Sequence, residues 1–241
     1  MKKAFDLAGV ATPKWEAIRD NNINAKEIIK KLGSPLIVKP AVSGGSLGVG
    51  VKNVVETEHE LETQLSKMFE GYRGWNLSSD GIVAESFVEG PEYTVMIVGS
   101  HTHPEYAKIY PPVERVFHAS LPEKEKFLSF DRLWEIYEDE TPMPEDENFY
   151  QYQSSPEEIK LAIQQVSWDA YAAVNGKGYT RVDVRVDANT GQPYVLEVNA
   201  QCGISEDENY TSIGAILRFA NQSFTELIIH IINDAFARRK K

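Results

Sequence analysis

Between residues 179 and 199 hydrophobic and polar positions alternate, which predicts two strands around a turn. Val182, Val184 and Val186 fall on one side of the first strand and Arg181, Asp183 and Arg185 on the other, because successive side chains point to opposite faces. The second strand is expected to turn Tyr194, Leu196 and Val198 inward and to keep Glu197 and Asn199 together on the opposite face. Asp187, Ala188, Asn189, Thr190 and Gly191 supply the turn. A hairpin folded about Thr190 sets Asp183 across from Glu197 and Arg181 across from Asn199, so one polar face gathers two carboxylates, an amide and a guanidinium.

Elsewhere helical spacing dominates. Residues 1 to 9 predict a short helix that starts without a preceding loop or cap and is broken by Thr12 and Pro13. Asn24 caps a helix through Lys31 that ends at Gly33, and Thr57 with Glu60 makes a capping box ahead of Leu61, Leu65 and Met68. Ser155 as cap, Pro156 at the first helical position and Glu158 open a longer helix. Its buried stripe is Ile159, Ile163, Val166, Ala170 and Val174, and Gly176 ends it. Residues 212 to 238 predict a helix or helix pair with Ile213, Ile216, Leu217, Phe224, Leu227, Ile228, Ile231 and Ile232 inward. Short strands are expected over 36 to 38, 82 to 84 and 92 to 98, the last two joined through Glu85 to Val88 and the turn Glu89, Gly90, Pro91. Residues 101 to 153 are the least regular part. Prolines and aromatics mix there with Glu135, Glu138, Asp139, Glu140, Glu145, Asp146 and Glu147, as in a lid or a solvated insertion.

The chain has 241 residues, enough to bury a sizeable core as one domain or two small lobes. A net charge of -11 argues against nucleic acid as a partner, since phosphate backbones need a basic footprint. Cys202 is the single cysteine, so no disulfide framework exists and a reducing compartment is expected. Asp6 interrupts the opening MKKAF, and no stretch approaches the length of a membrane span. The expectation is a soluble cytoplasmic protein with no membrane partner, whose abrupt start implies a missing upstream part.

Three stretches carry candidate chemistry, each with a plainer alternative. The oxygen ligands of the hairpin suit a hard divalent cation, although alternation also makes solvated faces with salt bridges. Ser43 to Gly50 brings four glycines and two serines directly after Lys39. Backbone N–H groups there can converge on an anion beside an ammonium, or the stretch is a flexible hairpin tip. It has neither the Gly-Lys-Ser/Thr of a Walker loop nor the spacing of a dinucleotide fingerprint. The Glu85 to Glu92 segment can offer backbone to an adenine edge and an acid to a ribose hydroxyl, or it is an ordinary strand pair. His101 and His103 share a strand face, but no further ligand cluster adjoins them.

The strings LIVKP and SGGSLGVG, ESFVEGPEYTV, GYTRVDVRVD and YVLEVNAQCGIS, in this order, resemble the ATP-grasp superfamily, and most closely its D-alanine–D-alanine ligase branch. The resemblance covers nearly the whole chain. It implies an α+β ATP-grasp fold, two α+β subdomains gripping ATP between them: residues 1–84 with the phosphate loop and 85–241 with the metal-binding hairpin. It also implies that Lys2 is an ATP-binding lysine, that Lys39 and Ser46 contact the phosphates, that Glu85, Phe87 and Val88 meet the adenine, and that Glu92 binds the ribose. Asp183, Glu197 and Asn199 would hold magnesium, with manganese as an alternative. Arg181 and the N–H of Gly203 would stabilise the charge that develops during reaction.

The implied reaction joins a small carboxylate, such as an amino acid, to an amine through an acyl phosphate made from ATP. The competing expectation is a truncated ATP-binding module without turnover. The family carries an additional N-terminal domain, so a homo-oligomer or a separate chain supplying that domain is expected. The position of its second phosphate-binding lysine falls at Leu133, next to Arg132, and the serine expected for the acceptor's carboxylate is replaced by Ser205, Glu206, Asp207 and Glu208.

Overall fold

A computed structural model describes every residue except Arg73, Glu138, Asp139, Glu145, Asp146, Gln201, Glu208, Tyr210, Lys240 and Lys241. Glu138, Asp139, Glu145 and Asp146 of the acidic stretch, Gln201, Glu208 and Tyr210 of the loop after the hairpin, and the terminal Lys240 and Lys241 therefore lie outside the described residues. In chain order the elements begin α1 (Lys2–Ala8), β1 (Trp15–Ile18), α2 (Ala25–Leu32), β2 (Leu36–Pro40), β3 (Val54–Val55), α3 (Glu58–Glu70) and β4 (Ile82–Ser86). They continue with β5 (Glu92–Ser100), β6 (Lys108–Ile109), β7 (Val113–Phe117), α4 (Phe130–Leu133), β8 (Tyr150–Ser154) and α5 (Glu157–Ala173). β9 (Lys177–Val186), β10 (Pro193–Ala200), α6 (Ser212–Phe219) and α7 (Phe224–Arg239) complete the chain. The α+β class is as expected, with antiparallel strands in both sheets. No helix among the described residues is long and apolar enough to cross a membrane.

The chain divides into two compact units. Met1–Thr12, Val88–Val116 and Tyr150–Lys241 form one; Pro13–Phe87 and Phe117–Phe149 form the other. A single cut at residue 84 does not describe this arrangement. Phe5 and Val10 at the N-terminus belong to the core of the hairpin-bearing unit, and Lys2 Nζ donates to Thr12 Oγ1 (2.6 Å), which donates to the Val195 carbonyl (2.8 Å).

In that unit a six-stranded sheet runs β10-β9-β5-β7-β8, with β6 also paired to β5. Tyr93, Val95 and Ile97 on β5 share one face with Val182, Val184 and Val186 on β9. Ile163, Val166, Ala170 and Tyr171 of α5 close over them. Fully burying a side chain of this kind contributes roughly 1.5–3 kcal/mol, so this layer is a main source of cohesion. The other face carries Met96 and Val98 under Ile213, Ile216 and Leu217 of α6 and Leu227 of α7. The expected helix or helix pair is thus a pair. Ser223 starts α7 by accepting the Glu226 N–H while its own N–H meets Glu226 Oε2.

Three expectations need correction. Ile232, expected inward on α7, is 47% exposed. β10 is bulged at Leu196: Val195 pairs with Val184, whereas Glu197 pairs with Asp183. The extra residue turns Val195 into the core, fully buried, in place of Tyr194 and Leu196, while Val198 still packs inward as expected. Ser155 is not the cap of α5. Its hydroxyl donates to the Pro112 carbonyl (2.9 Å), and Pro156 occupies the cap position without a side-chain hydrogen bond. The irregular stretch also yields ordered strands, since β7 and β8 extend the six-stranded sheet.

In the other unit a four-stranded sheet runs β1-β4-β2-β3. α2 and α3 lie against it through Ile28, Leu32, Leu61, Leu65 and Met68, which meet Leu36, Val38, Ile82 and Ala84. Asn24 and the Thr57–Glu60 box cap these helices as expected. β1 was not anticipated. Of its four residues only Ile18 is buried, too short an alternation to register.

The Gly90 turn delivers the chain into β5 at φ +135°, where a Cβ would stand 2.1 Å from the Val186 carbonyl oxygen. Gly90→Ala should therefore lower stability by roughly 2–4 kcal/mol, read from the urea midpoint. An unchanged midpoint would mean that the turn is not built this way.

Candidate functional site

Cross-strand register arranges the predicted hairpin residues in rows on one face of the six-stranded sheet. The middle row is Thr94 on β5, Asp183 on β9 and Glu197 on β10. One row along lie Met96, Arg181 and Asn199; one row the other way lie Arg115 on β7, Glu92 on β5 and Arg185 on β9. Same-face neighbours on a strand are about 7 Å apart, so the three rows span about 14 Å. The strand alternation predicted this face, but not that most of it would be buried. Glu92, Asp183, Arg115 and Arg185 are each at most 5% exposed.

Asp183 is the centre of the site. Arg181 Nε donates to its Oδ1 at 3.0 Å and Arg181 Nη2 to its Oδ2 at 2.8 Å. Asn199 Nδ2 bridges the carboxylates, 3.0 Å from Asp183 Oδ2 and 2.8 Å from Glu197 Oε1. Burial pulls the Asp183 pKa up, while the Arg181 and Arg115 charges pull it down and prevail, leaving it below the ordinary carboxylate range. Asp183 in turn raises the pKa of Arg181. Two carboxylates and an amide make the hard oxygen set that magnesium takes, so the donors fit such an ion. In this structure guanidinium and amide nitrogens face the carboxylates; a half-turn of the Asn199 amide would present its oxygen instead. Glu197 keeps 45% of its side chain exposed, so the pair is open on one side.

Glu92 sits in the adjoining row between two guanidiniums. Arg115 Nη1 contacts its Oε1, and Arg185 Nε is 3.4 Å from Oε2. Arg185 also donates from Nη1 to the carbonyl of Val88 (2.9 Å), the last of the expected hinge residues. Gly203 lies exposed beyond β10, with no heavy atom within 4 Å of where its Cβ would be. Beside it Cys202 is buried, and burial pushes its thiol up to about 11, which suits packing better than reactivity. Lys2 is also buried, with its ammonium on Thr12 as described.

In the unit formed by Pro13–Phe87 and Phe117–Phe149, Lys39 leaves β2 with Nζ 2.8 Å from Glu85 Oε2 on the paired strand β4. Phe87 continues from β4, its N–H on the Pro35 carbonyl (3.0 Å) and its ring edge-on to Phe127. The glycine loop adopts left-handed conformations at Gly45, Ser46 and Gly48. Leu47 N donates to Gly44 O and Val49 N to Ser46 O, so the loop is a pair of tight turns rather than a free tip.

Sequence reasoning missed the groups that hold this loop. Asn53 is buried: its Nδ2 donates to Val38 O (2.7 Å) and Gly48 O (3.0 Å), and its Oδ1 accepts from Gly50 N (2.8 Å). From the acidic stretch, Trp134 Nε1 donates to Gly45 O (2.9 Å), Phe130 N to Val49 O (2.8 Å), and Val51 N to Glu140 Oε1 (2.8 Å). Part of that stretch therefore straps the loop. Arg132, adjacent to the position of the absent lysine, is buried, with Nη2 2.7 Å from Glu125 Oε2 and Nε 3.6 Å from Glu140 Oε2.

Solved structures define the class first. The chain has the ATP-grasp fold: it superposes over 99% of its length on a D-alanine–D-alanine ligase crystal structure from Bacillus anthracis, with TM-score 0.71, 25% identity and 66% of that chain covered. A Bacillus anthracis D-alanine–D-alanine ligase structure complexed with ATP superposes at TM-score 0.70 and 24% identity, over 99% of this chain and 65% of that one. The chain belongs to the D-ala D-ala ligase C-terminus family, whose match runs over residues 4–233. A curated relative, the D-alanine–D-alanine ligase of Marinobacter nauticus, is 26% identical over 239 residues, 98% of this chain. The chain spans 62% of that relative's length.

Asn53→Ala should remove three hydrogen bonds that close the glycine loop and lower stability by roughly 2–4 kcal/mol. Urea unfolding would measure this, and a loss below about 0.5 kcal/mol would show that the amide does not hold the loop.

Proposed function

We propose that this chain is the nucleotide- and metal-binding part of an ATP- and magnesium-dependent carboxylate–amine ligase of the D-alanine–D-alanine ligase kind. The observation that carries the reading is the polar and largely buried face formed by Arg181, Asp183, Glu92, Arg185 and Arg115. Sheet faces are ordinarily apolar and covered or polar and solvated; clustered charge under cover is characteristic of a site.

On this reading Lys39 and the backbone around Ser46 bind the triphosphate, with Lys2 as a further ATP-binding lysine. Glu85, Phe87 and Val88 meet the adenine, and Glu92 the ribose. Asp183, Glu197 and Asn199 would hold magnesium, or manganese in its place, which when bound neutralises charge on the phosphates. The substrate carboxylate attacks the γ-phosphorus, releasing ADP and giving an acyl phosphate; an amine then attacks the acyl carbon and expels phosphate. Arg181 would exchange its Asp183 partner for the transferring phosphoryl group, and the Gly203 N–H would donate to the carbonyl oxygen as negative charge develops on it. Glu206 and Asp207, in the loop where the acceptor's carboxylate would be bound on this reading, bring negative charge, which favours an amine without a free carboxylate nearby. A reducing cytoplasmic compartment suits the single buried cysteine.

A second reading, nucleotide binding without turnover, is favoured by Arg132. Its charge is engaged by Glu125 and Glu140, and Leu133 beside it brings none.

Calorimetric titration with Mg-ATP, with and without EDTA, tests the shared core of both readings. Magnesium-dependent binding is expected, and Asp183→Ala or Glu197→Ala should weaken it at least about 10-fold. Unaltered binding in both variants would remove the metal assignment. Phosphate release in the presence of an amino-acid and amine panel separates ligase from module, and binding with no release would favour the module.

A further inference from the structure

If Glu92 contacts a ribose, two buried side chains in its row still have no role. Arg115 and Arg185 are the direct cross-strand partners of Glu92 on its two sides, and each is 3% exposed. Each carboxylate oxygen has its own guanidinium, Oε1 that of Arg115 and Oε2 that of Arg185. The two arginines are themselves braced. Arg115 Nη2 is 3.4 Å from Tyr152 OH, and its guanidinium lies 5.5 and 5.6 Å from the ring centres of Tyr150 and Tyr152. Arg185 is fixed through Nη1 to the carbonyl of Val88.

Across the face three guanidiniums, Arg115, Arg181 and Arg185, balance three carboxylates, Glu92, Asp183 and Glu197, so charge balance permits the burial but does not require two guanidiniums at Glu92. What two opposed guanidiniums achieve is directional. They flank the two oxygens of Glu92 from opposite sides and hold the orientation of the carboxylate under cover. Because a carboxylate has about four acceptor positions, the Arg115 hydrogen bond on Oε1 and the 3.4 Å approach of Arg185 Nε to Oε2, an ion pair and not a hydrogen bond, leave room for a hydroxyl on each oxygen. A vicinal diol is the group that matches two parallel acceptors. The bond from Arg185 to Val88 adds a second constraint, holding the backbone that enters the strand four residues ahead of Glu92.

We propose that Arg115 and Arg185 are positioning residues that set Glu92 for a vicinal diol, making this row a selectivity device for ribonucleotides over 2′-deoxyribonucleotides. The inference rests on the assignment of Glu92 to the ribose of ATP.

The test is calorimetric titration of the full chain with Mg-ATP and Mg-2′-deoxy-ATP, in the wild type, Glu92→Gln, Arg185→Gln, Arg185→Lys and Arg115→Gln. The wild type should prefer ATP by about 10-fold, the effect of losing a hydrogen bond to a charged group. Glu92→Gln and Arg185→Gln should each reduce that preference to within about 2-fold, and Arg185→Lys should recover part of it. Circular dichroism and thermal melting establish which variants fold. If Arg185→Gln does not, Arg115→Gln carries the same expectation from the other side of the carboxylate. Equal weakening for both nucleotides, with the preference intact, would mean a merely structural role and overturn the inference. Wild-type binding of both nucleotides with equal affinity would overturn it while leaving nucleotide binding standing. A wild type that binds neither would overturn the underlying reading as well.

Discussion

A carboxylate remains ionised inside a sheet only if opposite charge stands within a few ångströms, and in this protein that constraint falls on Asp183. It lies on β9, which has paired strands on both edges and cover on both faces. The valines at 182, 184 and 186 require that strand to be central, because they fill the core beneath α5. Alternation then forces Arg181, Asp183 and Arg185 onto the opposite face under cover. Stability and site are thus consequences of one strand's pattern. Arg181 answers Asp183, Arg115 and Arg185 answer Glu92, and removing Glu92 would leave two guanidiniums buried without that carboxylate.

The glycine loop meets a different physical problem. Backbone N–H groups bind an anion well only when they converge, and glycine gives no side chain to enforce convergence. The restraint comes from outside the loop: the Asn53 amide draws its two arms together, while Trp134, Phe130 and Glu140 fasten it at three points. Glu140 does this at some electrostatic disadvantage, since burial pushes its carboxyl above the ordinary carboxylate range.

Much of this was legible in the chain because local rules determined it. The Thr57–Glu60 box, the Asn24 cap and the valine alternation each depend on residues a few positions apart, and each appears as read. The pairing of Asp183 with Glu197 and of Arg181 with Asn199 also appears as read, although the ladder beside the turn is offset by one residue and the bulge at Leu196 restores the register. What escaped depends on distant partners. Ser155 looks like a cap, but the Pro112 carbonyl claims it. Arg115 sits in VERVF, inside a stretch with no evident periodicity, and only the β5–β7 register places it against Glu92. Asn53 has no signature at all until Val38 and Gly48 are brought beside it.

The bulge at Leu196 does more than redirect one valine. On its near side Asp183, Arg181 and Thr180 pair with Glu197, Asn199 and Ala200; on its far side the ladder to the turn is out of step by one residue. The hairpin is therefore two ladders joined by a slipping joint. A change in length at the Asp187–Gly191 tip can be absorbed there before it reaches the carboxylate pair. The tip of this hairpin and its carboxylate-bearing half thus keep separate registers.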